Sequence, residues 1–132
     1  MTIFTDGASR GNPGLAAIGA IILDEQGKII SSISQRIGRT TNNQAEYKAV
    51  ITALTKAVSL GAQYIDIKMD SELVVKQITG AYRVKKETLK PLHQQVNKLL
   101  GLLDGFTISH IPRQQNTEAD NLANKALDSN HI

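Results

Sequence analysis

The sequence predicts a mixed α/β fold, in which antiparallel strands at the start of the chain are followed by parallel strands, with helices packed on the sheet. Two observations support this prediction. The first part of the chain contains three β-prone segments, and a short polar turn with a glycine joins the second to the third, as in a hairpin. Helical segments then alternate with two further strands, which is typical of parallel pairing. The expected order is β-β-β-α-β-α-α-β-α, with five strands in one sheet.

The predicted strands follow from their apolar and β-branched residues. The first is a short β-prone run, the second is almost continuously apolar, and the third carries four isoleucines. The turn DEQG at residues 24–27 closes the hairpin between the second and third strands. The fourth alternates apolar and polar side chains, as a half-buried strand does. The predicted strands are residues 1–5, 16–23, 28–37, 63–69 and 105–111.

The predicted helices are recognised by a spacing of three to four between apolar residues. In the first helix this face is rich in alanine, which favours close packing on a neighbour, and Gly61 ends the helix. The second begins at Asp70 or Ser71, and the third tolerates Pro91 because it lies in the first turn. A loop at residues 112–116 precedes the last helix. The predicted helices are residues 43–60, 71–80, 87–103 and 117–127.

The length and composition of the chain exclude several classes of protein. A chain of 132 residues with 41% hydrophobic residues is expected to form one domain, residues 1–132. Because it contains no cysteine, thiolate metal sites, disulfides and cysteine nucleophiles are excluded. It has no apolar run long enough to span a membrane and no signal-peptide pattern at its start, so we expect a soluble, cytoplasmic protein.

The net charge of +3 is unevenly distributed. Residues 76–98 contain six basic residues and one acid, so this segment would favour a polyanion. The alternative is an ordinary solvated helix face, and charge alone does not separate the two.

Four acidic residues lie at the boundaries of predicted elements, and each has a local explanation. Asp6 is a candidate turn residue, Asp70 a candidate N-cap, and Glu46 and Asp120 are candidates for capping boxes with Asn43 and Thr117. Together they suggest a site, since the carboxyl ends of adjacent parallel strands meet at one edge of a sheet. Converging carboxylates repel each other unless cations neutralise them, and a pair of Mg²⁺ ions would suit phosphoryl transfer.

Four ordered motifs resemble those of the type 1 ribonuclease H family, and they cover nearly the whole chain. They are TDGASRGNPG at residues 5–14, TNNQAEY at 41–47, MDSELV at 69–74 and HIPRQQNTEADNLA at 110–123. The resemblance implies a ribonuclease H-like five-stranded mixed sheet. It also implies hydrolysis of the RNA strand of RNA/DNA hybrids by two metal ions, leaving 3′-hydroxyl and 5′-phosphate ends. Asp6, Glu46, Asp70 and Asp120 match the family's metal-binding catalytic acids.

The resemblance also assigns contacts with the hybrid substrate. Asn12, Asn42 and Asn43 match positions that reach the minor groove, where an amide can both donate to and accept from a 2′-hydroxyl. Capping of the first helix is the alternative role for Asn42 or Asn43. Arg39 and Thr41 match a phosphate pocket for the DNA strand.

Two features depart from the pattern of many family members. The basic protrusion with its tryptophans is replaced by the segment GAYRVKKE at residues 80–87, in which Arg83, Lys85 and Lys86 are expected to contact the hybrid more weakly. The short form is also expected to lack a hybrid-binding domain. The segment HIPR indicates the subgroup with arginine in place of the family's loop histidine, so Arg113 is aligned there. A gapless count favours His110, which its strand parity suggests is a packed residue.

Three functions remain open at this stage. The first is a hybrid-specific endoribonuclease using two Mg²⁺ ions, with Mn²⁺ as the alternative and a reduced rate because a histidine proton shuttle is missing. The second is a nucleic-acid-binding protein of the same fold with little or no cleavage, and the third is a DNA nuclease of the same superfamily. We expect a monomer with no obligate protein partner and no membrane association.

Overall fold

The computed structural model describes residues 1–129, so the last three residues of the predicted domain lie outside the described range. It confirms the predicted fold class and the order of the elements. A short 3₁₀ turn, Arg113–Gln115, precedes the last helix. The elements are β1 (Thr2–Gly11), β2 (Gly14–Leu23), β3 (Ile29–Thr40), α1 (Asn42–Ser59), β4 (Tyr64–Met69), α2 (Glu72–Ile78), α3 (Lys90–Leu100), β5 (Gly105–His110) and α4 (Thr117–Asp128).

The five strands form one mixed sheet in the order β3-β2-β1-β4-β5. Strands β1, β2 and β3 pair antiparallel, whereas β4 pairs parallel with both β1 and β5. The polar residues 24–27 make the turn between β2 and β3, where the Asp24 N–H donates to the Lys28 carbonyl at 2.9 Å. Strand β1 therefore lies at the centre of the sheet, between its antiparallel and parallel halves.

Strand β1 is longer than the sequence predicts, and this corrects the interpretation of Asp6 as a turn residue. The strand continues to Gly11 because antiparallel pairing with β2 extends to its end, and Asp6 lies opposite Gly19 within that pairing. The parallel pairing with β4 stops one residue earlier, at Thr5 and Met69. Asp6 and Asp70 are consequently the first residues beyond the parallel pairing on two neighbouring strands.

The cap of α1 differs from the predicted one. Thr41 is the N-cap, and it forms a capping box with Gln44, whose backbone N–H donates to the Thr41 hydroxyl at 3.2 Å. The predictions that Asn42 or Asn43 caps this helix and that Glu46 completes its capping box are therefore wrong. Because Thr41 and Gln44 satisfy the cap, the Glu46 carboxylate is free for another partner.

The N-caps of α2 and α4 likewise do not use the carboxylates of Asp70 and Asp120. Ser71, and not Asp70, caps α2 by accepting a hydrogen bond from the Val74 N–H at 3.3 Å. At α4 the N-cap position is Asn116, without a side-chain capping bond, so the predicted box between Thr117 and Asp120 does not form. Neither Asp70 nor Asp120 therefore caps the N-terminus of its helix.

The main core lies between the sheet and the helices α1, α2 and α3. The alanine-rich face of α1 is buried against this core, as its spacing predicts, and Gly61 follows the helix with a φ of +86°. Helix α3 is shorter than predicted at both ends, since tight turns flank it, but its Val96 and Leu100 side chains are buried as expected. Helix α4 packs against β2 on a smaller apolar cluster. Within residues 1–129 no helix is both long and apolar enough to cross a membrane.

Candidate metal centre and active site

Three of the four predicted acids form a compact group. Asp6 comes from the middle of β1, Glu46 from the second turn of α1, and Asp70 from the residue after β4. One carboxylate oxygen from each lies within 4.8 Å of the others. Asp6 and Glu46 are each only 5% exposed. The convergence predicted from the topology of the sheet is therefore present in the fold.

Gly7 positions Glu46 against β1. Its backbone N–H donates to Glu46 Oε1 at 2.6 Å, and the bond is buried. A Cβ atom at Gly7 would lie 2.3 Å from the carbonyl carbon of Ala45, a distance that the backbone of α1 does not tolerate. Glycine is thus required at this position because α1 lies directly against the strand, and this close packing brings Glu46 next to Asp6.

Asp120 reaches the same region from the first turn of α4. Its side chain is 22% exposed, and it is one of the neighbouring acids that raise the pKa of Asp6. Helix α4 can approach because Gly19, opposite Asp6 in the sheet, has no side chain: a Cβ there would lie 2.1 Å from the Ala119 carbonyl oxygen. The buried Asn116 side chain also ties the start of α4 to β1, since its amide donates to the Thr5 carbonyl at 2.9 Å.

Burial and the neighbouring carboxyl groups raise the pKa values of Asp6 and Glu46. Burial, followed by the charge of Glu46, raises the pKa of Asp6 to about 10. Burial also raises the pKa of Glu46 to about 8, although the hydrogen bond from Gly7 opposes this shift. Among residues 1–129, no Lys or Arg nitrogen lies within 4.0 Å of Asp6, Glu46 or Asp70. A group of oxygen ligands that is largely buried and lacks a protein counter-charge suits a hard divalent cation.

The carboxylates line an open cavity of about 490 Å³. Asn42, Arg113 and Asn124 also line it. The Arg113 guanidinium lies 3.7 Å from Asp120 Oδ1. His110 is exposed at the end of β5, so its interpretation as a packed residue is wrong. It does not line the cavity.

The structure brings together only some of the predicted substrate contacts. Asn12 Oδ1 accepts a hydrogen bond from the Asn42 backbone N–H at 3.0 Å, which joins the β1–β2 turn to the start of α1 beside the cavity. Asn43 lies in the same helical turn. Arg39 is exposed near the end of β3, and the Thr41 hydroxyl takes part in the capping box.

The basic residues of the α2–α3 connection lie apart from the carboxylates. Arg83, Lys85 and Lys86 are exposed, and none of them lines the cavity. No helix or strand is formed between α2 and α3, in agreement with the predicted absence of a protrusion at this place.

Several residues that shape the site are not among the predicted ones. Asn124 lines the cavity and donates to Asp120, and its position four residues after Asp120 on a helix is the signal that could have found it. Gly7 and Gly19 matter through close approaches between elements that are distant in sequence, so nothing local reveals Gly19. Arg10 also lines the cavity, where it forms an ion pair with Asp128.

Comparisons with known proteins agree with this geometry. A family profile described as reverse transcriptase-like matches residues 4–126. The ribonuclease HI of Halobacterium salinarum is 46% identical over 95% of this chain and 63% of that protein. The bifunctional protein Rv2228c of Mycobacterium tuberculosis is 42% identical over 98% of this chain and 36% of that protein. The chain thus spans less than two thirds of the length of either relative.

Solved structures with similar sequences share the whole fold. The crystal structure of RNase H1 from the halophilic archaeon Halobacterium salinarum superposes with a TM-score of 0.94 at 45% identity, covering 96% of both chains. LC11-RNase H1, isolated from compost by a metagenomic approach, was solved in complex with an RNA/DNA hybrid. That complex superposes with a TM-score of 0.91 at 42% identity, again covering 96% of both chains.

Proposed function

The chain belongs to the type 1 ribonuclease H family, and on that premise we propose that it hydrolyses the RNA strand of RNA/DNA hybrids, leaving 3′-hydroxyl and 5′-phosphate ends. The observation that carries this proposal is the group of carboxylates formed by the buried Asp6 and Glu46 and the partly buried Asp70, whose oxygens lie within 4.8 Å of one another without a protein counter-charge. A protein that only bound nucleic acid would gain affinity by losing such charges beside the phosphates. We propose that residues 1–132 form the catalytic domain.

The cofactor of this proposal is Mg²⁺, as two ions, with Mn²⁺ as the alternative. Asp6, Glu46, Asp70 and Asp120 would hold the ions, and their oxygen atoms suit these hard cations. When bound, such ions activate water and stabilise the leaving oxygen of a phosphodiester. The chain's own contribution is to hold the carboxylates in place: the Gly7 N–H fixes Glu46, and α4 supplies Asp120.

Recognition of the hybrid is assigned to residues at the junction of the β1–β2 turn with α1, beside the cavity, and to exposed basic residues that lie apart from it. The amides of Asn12, Asn42 and Asn43 lie at the junction of the β1–β2 turn with α1, where they can contact 2′-hydroxyl groups. Arg39 and Thr41 would contact a phosphate of the DNA strand, and for Thr41 that contact would replace the hydrogen bond that its hydroxyl donates to Gln44 Oε1 at 3.0 Å. Arg83, Lys85 and Lys86 would contribute exposed positive charge along the duplex.

Arg113 is assigned to the position of the family's loop histidine. An arginine side chain supplies a fixed positive charge and hydrogen-bond donors, whereas a histidine can also transfer a proton. Because Arg113 lies 3.7 Å from Asp120 Oδ1 and is largely exposed, it would place a positive charge beside the scissile phosphate. This role predicts a lower rate than that of histidine-containing relatives.

A cleavage assay tests the proposed function. A labelled RNA/DNA hybrid, the RNA/RNA duplex of the same sequence and the DNA duplex are each incubated with Mg²⁺ or Mn²⁺. We expect cleavage of the RNA strand of the hybrid by a monomeric protein, and no cleavage by Asp70→Asn. If the wild-type protein cleaved the hybrid no faster than Asp70→Asn while still binding it, the chain would be a binding protein. Preferential cleavage of the DNA duplex would favour a DNA nuclease.

A further inference from the structure

Asn124 lies one helical turn after Asp120 on α4 and lines the same cavity. Its side-chain amide donates to two atoms of Asp120, the backbone carbonyl oxygen at 3.0 Å and the carboxylate Oδ1 at 3.2 Å. The amide therefore holds both the backbone turn that carries this acid and one oxygen of its carboxylate.

The stability of α4 does not explain an asparagine at this position. In the interior of a helix, asparagine is less favourable than alanine because it competes with the backbone for hydrogen bonds. Asn124 is only partly buried, and within residues 1–129 its side-chain hydrogen bonds go to Asp120. Its neighbours Ala123 and Ala126 on the buried side supply the packing of the helix. The contact with Asp120 is thus the feature that distinguishes this residue.

The fourth carboxylate has a different setting from that of the other three. Asp6, Glu46 and Asp70 form the compact group, whereas Asp120 stands outside it on a separate helix and is more exposed than Asp6 or Glu46. A neutral amide on Oδ1 restricts rotation of the carboxyl group without neutralising its charge. Arg113, the other group near Oδ1, carries a positive charge that would compete with a bound cation.

We propose that Asn124 is a positioning residue, whose amide holds Oδ1 of Asp120 so that this carboxylate is oriented to bind a divalent cation. The inference rests on the proposed function, since it assigns Asp120 to the metal site. Groups that orient a metal ligand through a hydrogen bond typically change metal affinity or activity by about 10- to 100-fold when they are removed. We expect the lower end of this range because Asn124 is partly exposed to water.

The test compares three variants with the wild-type protein. Asn124→Ala removes the amide, Asn124→Gln keeps an amide that can reach an acid four residues away, and Asn121→Ala is the control, an exposed asparagine on the same helix. Three quantities are measured: the Mg²⁺ concentration for half-maximal hybrid cleavage, the Kd for Mn²⁺ by calorimetry, and the thermal midpoint without metal. For Asn124→Ala we expect about a tenfold rise in the first two and no fall in the third. Asn124→Gln should recover part of the loss, and Asn121→Ala should match the wild type.

The outcomes separate this inference from the proposed function. Wild-type metal dependence in Asn124→Ala would overturn the inference, and so would a fall in thermal midpoint with an unchanged Kd for Mn²⁺, which is the signature of a structural role. If the wild-type protein cleaved the hybrid no faster than Asp70→Asn, the proposed function would fail. Calorimetry would still test Asn124 in that case, because it needs no cleavage. The positioning role would be overturned if Asn124→Ala bound Mn²⁺ with the same Kd as the wild type.

Discussion

Replacing the Asp6 carboxylate by an amide should change how the stability of the metal-free protein depends on pH. Burial and the neighbouring acids raise the pKa of Asp6 from 3.8 to about 10 and that of Glu46 from 4.5 to about 8. Between about pH 5.5 and 7.5, the folded protein therefore keeps protons at these groups that the unfolded chain has released. Because the folded state binds more protons, its stability must fall as the pH rises through this window.

The size of the effect follows from the number of protons. Each proton held only by the folded state lowers the free energy of unfolding by about 1.4 kcal/mol for each unit of rising pH. For a chain of this length, that corresponds to a fall of about 5 °C in the thermal midpoint. Asp6 and Glu46 together give a slope of up to about twice that value. The contribution of Glu46 ends near pH 8, where its carboxyl group also ionises in the folded protein, whereas that of Asp6 continues to about pH 10.

The assay is urea or thermal unfolding in EDTA at pH 5.5, 6.5 and 7.5. The free energy of unfolding of the wild-type protein should fall at each step of rising pH. In Asp6→Asn it should fall about half as steeply with pH, and this variant should be more stable than the wild type at pH 7.5. Asp104→Asn, a change at an exposed acid beside the start of β5 and therefore at the opposite end of the parallel strands from Asp70, is the control and should keep the wild-type slope. Saturating Mg²⁺ should flatten the wild-type profile because the ions replace the protons. Equal slopes in the wild type and Asp6→Asn, or a stability that rises with pH, would refute the reasoning.

Three further predictions concern single side chains. Gly19→Ala places a Cβ 2.1 Å from a carbonyl oxygen of α4, so it should lower the free energy of unfolding by about 3 kcal/mol or more and abolish cleavage; urea unfolding that matched the wild type would contradict the close packing. Tyr47→Phe removes the buried bond from the hydroxyl to Gln77 Oε1 at 2.6 Å and should cost about 1–3 kcal/mol in urea unfolding, whereas Tyr64→Phe, at an exposed tyrosine, should cost almost nothing. Arg113→Ala should lower kcat by about tenfold or more, with Arg113→Lys retaining most of the rate because it keeps the charge. An unchanged kcat in Arg113→Ala would remove that residue from the mechanism.

The order of the elements and the convergence of the acids could be predicted because both depend on local pattern and on the rules of sheet topology. The alternation in β4 and the alanine spacing in α1 identify their buried faces directly. Asp70 follows β4, and the parallel pairing of β4 with β1 then determines which residue of β1 lies beside it. That residue is Asp6.

The parts that the sequence did not reveal depend on contacts between distant segments. The residues after Asp6 are small and polar and resemble a turn, yet antiparallel pairing with β2 keeps them in β1 as far as Gly11. The segment before α1 contains two threonines and two asparagines, residues 40–43, and each of these residue types can cap a helix. In the structure Thr41 is the N-cap and Gln44 completes the capping box. His110 shares the parity of Ile108, but it lies exposed at the end of β5, so the packing that parity predicts for it is not formed.

The attachment of α4 has a consequence for the order in which the site is assembled during synthesis. Three of the acids belong to the first 70 residues, whereas Asp120 is translated 50 residues later on a helix that must still dock on β1 and β2. Asn116 joins the beginning of that helix to β1, and Arg36 of β3 donates to the Ala126 carbonyl near its end at 2.8 Å. A nascent or prematurely terminated chain can therefore contain three carboxylates without the fourth, so the proposed four-acid site would be complete only when α4 has docked.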